Sequence, residues 1–470
     1  MVRLERWVTL VTLALLQVFT VAAAVAGTPY LIGDEVVTAA PKQLRARQMP
    51  LVTAGPVLVP APGGAAAGRV DIARELDRAM ATPALGGGVA AVVIDPVTRR
   101  VLYARRADSP ATPASTTKIV TAVAALGSLG TDHRLATRVV WGSGSEPGGP
   151  KAKKEIILVG GGDPSLAGSK PRPGGYPSYA SLPDLAAKTA AALKAAGVRE
   201  VKLTYDDSLY SGPRLGPGWK PNYVPEGSVA PITALMMNGG RRHPGTSTRV
   251  NDPSAYTAER FADLLSERGV KVGRPARGRA AEEAPTEIAR VESPPVSALV
   301  EQMLTDSDNE MAEALARQVA LKGGQPASFD GGARAVHAAL RRLGVEKGVE
   351  VHDGSGLSPR NKITPNALAG LVALAANPDH PALRAAVTGL PIGGFTGTLA
   401  GRYTDDGSRS GAGVVRAKTG TLSGVSTLSG VAYTSGGGML AFALMADRLP
   451  ADAYAPPALD RLASIVARAS

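Results

Sequence analysis

Three short runs in this 470-residue chain place a hydroxyl, an amine and a cation at spacings that chemistry can use. In Ser115-Thr116-Thr117-Lys118 a serine and a lysine stand three residues apart at the expected start of a helix, where positions i and i+3 share a face. A serine hydroxyl is a poor nucleophile until a base takes its proton. A lysine can be that base only when burial or a nearby cation lowers its pKa. The positive end of the helix would favour an oxyanion beside it. Ser307-Asp308-Asn309 immediately precedes a second expected helix, and Lys418-Thr419-Gly420-Thr421 lies on an expected C-terminal strand. A glycine inside a strand weakens it unless something must approach the backbone closely, and a cation flanked by hydroxyls suits an anionic substrate. Each run alone also has an ordinary reading: a capped helix carrying a surface lysine, a helix cap, and an edge strand guarded by a charge.

The elements that must position these residues follow from periodicity. Residues 70–80 carry Ile72, Leu76 and Met80 on one helical face. Residues 89–95 (VAAVVID) and 101–104 read as strands joined by a turn at 96–100, a hairpin. A helix over 113–126 then carries Ser115 and Lys118. In the middle of the chain, strands are expected at 136–141, 155–159 and 200–205, and helices at 182–196, 255–268 and 295–305. A Gly/Pro/Arg-rich break covers 269–285. Helices at 310–320 and 333–343 precede the loop Asp353-Gly-Ser-Gly-Leu-Ser358. Strands at 415–422, 426–434 and 439–446 and a closing helix at 457–469 end the chain. One sheet assembled from both chain ends, with helices packed on it, accounts for this order.

Composition narrows the function classes. At 44% hydrophobic residues the chain is not disordered, and its length suits two or three domains. It has no cysteine, which excludes disulfides, thiol nucleophiles and thiolate metal sites. The five histidines are scattered with no His-Glu-x-x-His, so no metal site is expected, and no phosphate-binding loop occurs. The net charge of +12 fits either a solvated surface or an anionic envelope partner, and no nucleic-acid partner is expected. Arg3 and Arg6 precede 21 uncharged, mostly apolar residues, 7–27, about the length that spans a bilayer. The basic flank stays cytoplasmic, so the rest of the chain is exported. Ala24-Val25-Ala26 fits a cleavage signal, so residues 1–27 read equally as a signal peptide or a membrane anchor. Residues 28–69 read as a Pro/Gly-rich linker.

Each of the three runs occurs once, and in this order. Together they resemble the signature of the active-site serine penicillin-binding proteins and β-lactamases. The stretch from Lys118 to Ser307 is far longer than in compact β-lactamases. It resembles the insertion of the class C low-molecular-mass penicillin-binding proteins, the D-alanyl-D-alanine carboxypeptidase/endopeptidases. Leu158–Leu166, Leu215-Gly-Pro-Gly-Trp219, Asp353–Ser358, Gly397–Ala400 and Ala417–Leu422 also resemble segments of that family. The resemblance implies a multi-domain α/β chain with a penicillin-binding/β-lactamase-like transpeptidase fold. Residues 70–135 and 291–470 would form the penicillin-binding domain, and 136–290 an inserted region of one or two small domains. It implies a serine DD-peptidase acting on peptidoglycan peptides, inhibited covalently by β-lactam antibiotics and needing no metal or cofactor. Ser115 would attack, Lys118 would take its proton, Ser307 with Lys418 would relay a proton to the leaving amine, and Asn309 would orient the substrate amide and Lys118. Thr419, Gly420 and Thr421 would bind substrate. Family members carry Arg directly after the Leu-Ser of the 353–358 segment. Here Pro359 holds that place, and Arg360 becomes the candidate for the substrate's side-chain carboxylate. The alternatives are a serine β-lactamase and a catalytically silent penicillin-binding envelope protein.

Overall fold

The computed structural model describes residues 69–469 apart from 87, 150–152, 172–173 and 282–284. The apolar segment 7–27 and the expected linker up to residue 68 lie outside the described residues. Among the described residues no helix is long and apolar enough to cross a membrane.

Helix α1 (Arg69–Met80) leads into strands β1 (Val89–Ile94) and β2 (Val101–Arg105), and these join β11 (Val415–Leu422), β12 (Val425–Tyr433) and β13 (Met439–Asp447) in one antiparallel sheet. Its order is β11-β12-β13-β1-β2, with Val92 opposite Ala443. Strand β1 is apolar at every position because both faces of the sheet are covered. Alternate side chains of a strand point to opposite faces. Val92, Ala443 and Met445 accordingly face one core, whereas Ala91, Val93, Phe442 and Leu444 face another. The first core is closed by helices α2 (Thr117–Leu129), α5 (Val296–Asp306), α6 (Asn309–Lys322), α7 (Phe329–Arg342) and α8 (Pro365–Ala376). The second is closed by α1 and α9 (Pro456–Ala467), through Leu76, Met80, Leu459 and Leu462. The result is a helix–sheet–helix sandwich built from both chain ends.

Residues 136–292 form a second sheet in the order β6-β5-β4-β3-β8. These strands are β3 (Ala136–Trp141), β4 (Lys154–Val159), β5 (Glu200–Asp206), β6 (Lys271–Val272) and β8 (Glu287–Glu292), and the short β7 (Ala276–Arg277) pairs with β5; outside both sheets, β9 (Val349–Glu350) and β10 (Lys362–Ile363) pair with each other. Strands β4 and β5 run parallel, linked through helix α3 (Leu182–Ala195). This sheet packs a core of its own, with Val139, Leu158 and Leu203 against Leu185 of α3 and Phe261 of α4 (Pro253–Ser266). Its first and last strands pair with each other, Ala136 opposite Glu292. Leu135 and Ser293 continue that pairing outward through two hydrogen bonds. The chain therefore leaves and re-enters the sandwich at one neck.

Several expectations change. The helix expected from Pro113 opens as a tight 3-10 turn, Ala114–Thr116, and becomes α-helical at Thr117, so Ser115 sits in the turn rather than in the helix. The break at 269–285 contains β6 and β7, and β8, which the alternation in EIARVE could have signalled, follows it. Helix α7 begins at Phe329, capped by the Ser328 side chain, and absorbs Gly331 and Gly332 that argue locally against a helix. Helix α8 was not expected at all. It is apolar nearly all round because it is buried nearly all round, so it has no amphipathic stripe to reveal it.

Candidate active site

Lys118 is the centre of the site and is 0% exposed. At the second residue of α2, its Nζ lies 3.1 Å from Ser115 Oγ, 2.6 Å from Asn309 Oδ1 and 2.7 Å from the Ser355 carbonyl oxygen. Burial pushes its pKa down to about 8, against the opposing pull of the Asp353, Asp308, Glu313 and Glu310 carboxylates. A neutral amine has two N–H bonds and one lone pair. Asn309 Oδ1 and the Ser355 carbonyl can only accept, so they take both N–H bonds. The lone pair is then left facing Ser115 Oγ, which must donate. This geometry is that of a base aimed at a nucleophile.

Asn309 opens α6, directly after Asp308, whose side chain accepts from Met311 N and caps the helix. Its Nδ2 donates to the Ser228 carbonyl at 2.8 Å, which fixes the amide with its oxygen towards Lys118. Ser307 ends α5 in the left-handed region, at φ 59°. A non-glycine residue held there stores strain that the surrounding structure must hold in place, and it is what turns α5 sharply into α6. Ser307 and Asn309 share a cleft of about 530 Å³ with Asp306, Asp308, Tyr179 and Arg241. Among the described residues the Ser307 hydroxyl makes no hydrogen bond.

The Lys-Thr-Gly run lies on β11, against the 3-10 turn that carries Ser115. Lys418 is also 0% exposed and donates to the Thr419 carbonyl at 2.9 Å. Burial first, and the Lys118 charge second, hold its pKa well below the usual lysine range. Thr419 Oγ1 hydrogen-bonds to Thr398 Oγ1 at 3.0 Å, and Thr421 is exposed. Gly420 is needed for contact: a Cβ there would lie 2.6 Å from the Pro113 carbonyl oxygen and 3.1 Å from Ser115 N. Gly420→Ala is therefore expected to push the strand off the turn that carries Ser115. Since misplacement of about an ångström can cost about a hundredfold, penicillin acylation per folded site should slow by about ten- to a hundredfold, and the overpacking should also cost about 1–3 kcal/mol of stability. An unchanged acylation rate constant would show that the close approach is not used.

Arg360 does not join this cluster. It is exposed, its backbone N–H bonds to Ser358 Oγ at 3.3 Å, and its guanidinium lies alongside Gly218 of the Leu215–Trp219 segment. Among the described residues it forms no ion pair.

Sequence reasoning missed the residues that hold the 353–358 loop against Lys118. Asp353 is 5% exposed and accepts from Gly356 N, Ser358 N, Asn361 Nδ2 and Trp219 Nε1 at 2.6–2.9 Å. Gly356, at φ +87°, packs directly on the Ala114 carbonyl, where no side chain fits. Glu313 accepts from Gly354 N and Ser355 N and pairs with Arg317. The i,i+4 spacing of Glu313 and Arg317 was visible in the sequence, but such pairs usually sit on a solvated face; here each side chain is 1% exposed.

A serine against a buried lysine, held where a five-stranded sheet meets its helices, fits the serine hydrolases of the penicillin-binding/β-lactamase-like fold. Within that class the chain belongs to the D-Ala-D-Ala carboxypeptidase 3 (S13) family, whose pattern matches residues 72–247 and 242–467. It is a serine peptidase of the DD-peptidase type that the resemblance indicated. The carboxypeptidase DacB of Mycolicibacterium smegmatis is 37% identical over 423 residues, covering 89% of this chain and 88% of that protein. The D-alanyl-D-alanine carboxypeptidase of an Actinomadura species is 30% identical, with 84% of each chain covered. Among solved structures, penicillin binding protein 4 (dacB) from Haemophilus influenzae superposes with a TM-score of 0.68 at 21% identity, over 83% of this chain and 98% of that one. A second structure of that protein, complexed with a β-lactam, superposes with a TM-score of 0.64.

Proposed function

We propose that the chain is an exported serine DD-peptidase that cleaves D-Ala-D-Ala termini, D-Ala-containing cross-links of peptidoglycan, or both, through an acyl-serine, and that β-lactams acylate the same serine. The observation that carries this reading is the arrangement at Lys118 Nζ, with both N–H bonds taken by carbonyls and Ser115 Oγ 3.1 Å away. Ser115 Oγ attacks the carbonyl between two D-Ala residues, and its proton passes to Lys118. The backbone N–H groups of Ser115 and Thr421 hold the oxyanion. Ser307, with Lys418 nearby, relays that proton from Lys118 to the leaving amine as the C–N bond breaks, which returns Ser307 to its hydroxyl and Lys118 to its neutral form. Water then hydrolyses the ester and frees Ser115. Asn309 orients the substrate amide. Thr419, Gly420 and Thr421 bind the terminal carboxylate, and Arg360 meets a carboxylate of the substrate side chain. Residues 70–135 and 291–470 carry the chemistry, and 136–290 form the insertion. Residues 7–27 direct export, either cleaved after Ala26 or kept as an anchor. The relatives named carboxypeptidases support the reaction type.

The test is release of D-Ala from a peptide ending in D-Ala-D-Ala, stopped by stoichiometric penicillin. Rapid penicillin hydrolysis without D-Ala release would instead make the enzyme a β-lactamase. Labelling with neither turnover would make it a sensor.

Lys418 tests carboxylate recognition. A Lys418→Met chain loses the amine beside the Thr419–Thr421 strand that a bound substrate carboxylate would favour as a cation. Its KM for the peptide is expected to rise on the order of tenfold, corresponding to about 1.4 kcal/mol of lost charge-assisted binding. Acylation should slow as well. Steady-state kinetics on the peptide measures both, and an unchanged KM would remove Lys418 from carboxylate binding.

A further inference from the structure

We propose that Glu313 is a positioning residue for the acylation step: through the peptide Gly354-Ser355 it places the carbonyl that aims the Lys118 lone pair at Ser115. The inference rests on Lys118 being the base, and it extends that reading one shell outward, to a side chain that touches no substrate.

The connection is continuous. Glu313 Oε1 accepts from Gly354 N at 3.0 Å and from Ser355 N at 2.8 Å, two consecutive N–H groups converging on one oxygen. That grip fixes the peptide whose next carbonyl, Ser355 O, accepts from Lys118 Nζ at 2.7 Å. Thr121 Oγ1, one turn beyond Lys118 on the same helix, donates to the Gly354 carbonyl at 2.6 Å, so the loop is pinned from both sides. Glu313 is itself clamped. Its other oxygen pairs with Arg317 Nη1 at 3.3 Å, and the Arg317 guanidinium is stacked 4.1 Å from the Phe329 ring centroid and 5.5 Å from that of Tyr210. Removing one partner of a buried ion pair is costly because a lone charge is left behind. The pair therefore stays formed, and the loop inherits its rigidity. The second N–H of Lys118 is directed by Asn309, so Asn309 and Glu313 do matching jobs from successive turns at the start of α6.

Charge and hydrogen bonding can be separated. The charged groups facing Lys118 are Asp353, Asp308, Glu313 and Glu310, which raise its pKa, and Lys418, which shares the cluster. Those facing Glu313 are Asp353, which pushes its carboxyl up together with burial, and Arg317, which pulls it down. Glu313→Gln, made together with Arg317→Leu so that no unpaired guanidinium faces the new amide NH2, keeps an oxygen able to accept from both N–H groups but removes a negative charge. Glu313→Asp keeps the charge but withdraws the carboxylate by one methylene.

The experiment is the acylation rate of the full chain by a fluorescent penicillin as a function of pH, divided by the number of active sites titrated. A variant that merely folds less well lowers that number and leaves the rate per site unchanged. The Glu313→Gln/Arg317→Leu chain is expected to keep the high-pH plateau within about threefold and to move the acid limb to lower pH, because Lys118 loses a neighbour that favours its charged form. Glu313→Asp is expected to leave the limb in place and to lower the plateau about ten- to a hundredfold, with the saturating penicillin concentration unchanged. A Glu313→Asp chain that reaches the wild-type plateau overturns the proposal, and so does a Glu313→Gln/Arg317→Leu chain as slow as Glu313→Asp. If the wild-type chain itself is not acylated at Ser115, it is the DD-peptidase reading that fails.

Discussion

A Ser115→Ala chain is expected to fold, to carry no covalent penicillin and to release no D-Ala. Ser115 contributes one hydroxyl, in a 3-10 turn held by other groups: Thr116 Oγ1 donates to the Pro113 carbonyl at 2.7 Å, and Thr427 Oγ1 donates to the same oxygen at 2.8 Å. Lys118 keeps its bonds to Asn309 and to the Ser355 carbonyl when the hydroxyl goes. The cost to folding is thus one partly buried hydrogen bond, about 1 kcal/mol. The cost to chemistry is the nucleophile, whose removal in a covalent hydrolase lowers turnover on the order of a millionfold. A denaturing gel after incubation with fluorescent penicillin reads the labelling, and circular dichroism reads the fold. Labelling of the variant equal to wild type would mean that another residue is acylated and that the mechanism is wrong.

What could be read from the chain itself was mostly what local pattern specifies. The strand at 415–422, the hairpin at 89–105 and the helix from 182 stand where periodicity and turn residues placed them, because apolar runs bounded by Gly and Pro leave little choice of element. The sandwich topology was legible too, since strands at both chain ends and helices between them admit few arrangements. The three motifs announced the chemistry. What remained hidden depends on contacts distant in sequence. Nothing local distinguishes Glu313 and Arg317 from a solvated i,i+4 pair; only the packing of Phe329, Tyr210 and the 353–358 loop around them makes them a buried clamp. Asp353 reads as a turn former in a Gly/Ser loop, yet its carboxylate collects four donors, one of them from Trp219 far away in the sequence. Helix α8 was hidden for the opposite reason, since complete burial erases the amphipathic stripe by which helices are recognised.

Two lysines in one dry site pose an electrostatic problem, and its solution shapes the reaction. Both Lys118 and Lys418 are fully buried, and the charge on the first disfavours charge on the second. The carboxylates arrayed around Lys118 oppose the effect there, and its pKa comes to about 8, while burial and the Lys118 charge hold Lys418 well below the usual lysine range. An arriving substrate carboxylate would favour the cationic form of Lys418, and a cation there disfavours charge on Lys118. Substrate binding would then tilt Lys118 towards its neutral, basic form at the moment when a base is needed.

That logic makes Lys118 the second site of large effect. Wild-type acylation is expected to fall as pH drops below about 8, by about tenfold per unit, because each unit protonates a further tenfold of the Lys118 amine and a protonated amine has no lone pair for the Ser115 proton. The sign follows from the direction of the shift: burial destabilises the cation, so the neutral base is available near neutral pH rather than only above the ordinary lysine range. Lys118→Met removes the base, and a positioned base contributes about 10²–10⁴-fold, so acylation should be nearly lost at every pH. Lys118→Arg is the sharper test. Arginine keeps a cation with N–H groups able to reach Asn309 and Ser355, but its guanidinium does not deprotonate in this pH range. If Lys118 acts as a base, the Arg chain is as slow as the Met chain and its pH profile loses the acid limb. If Lys118 acts only as a positive charge that steadies the oxyanion, the Arg chain acylates near the wild-type rate, and the proton from Ser115 must go elsewhere. Stopped-flow acylation by a chromogenic penicillin between pH 6 and pH 10, on the three chains side by side, decides between the two.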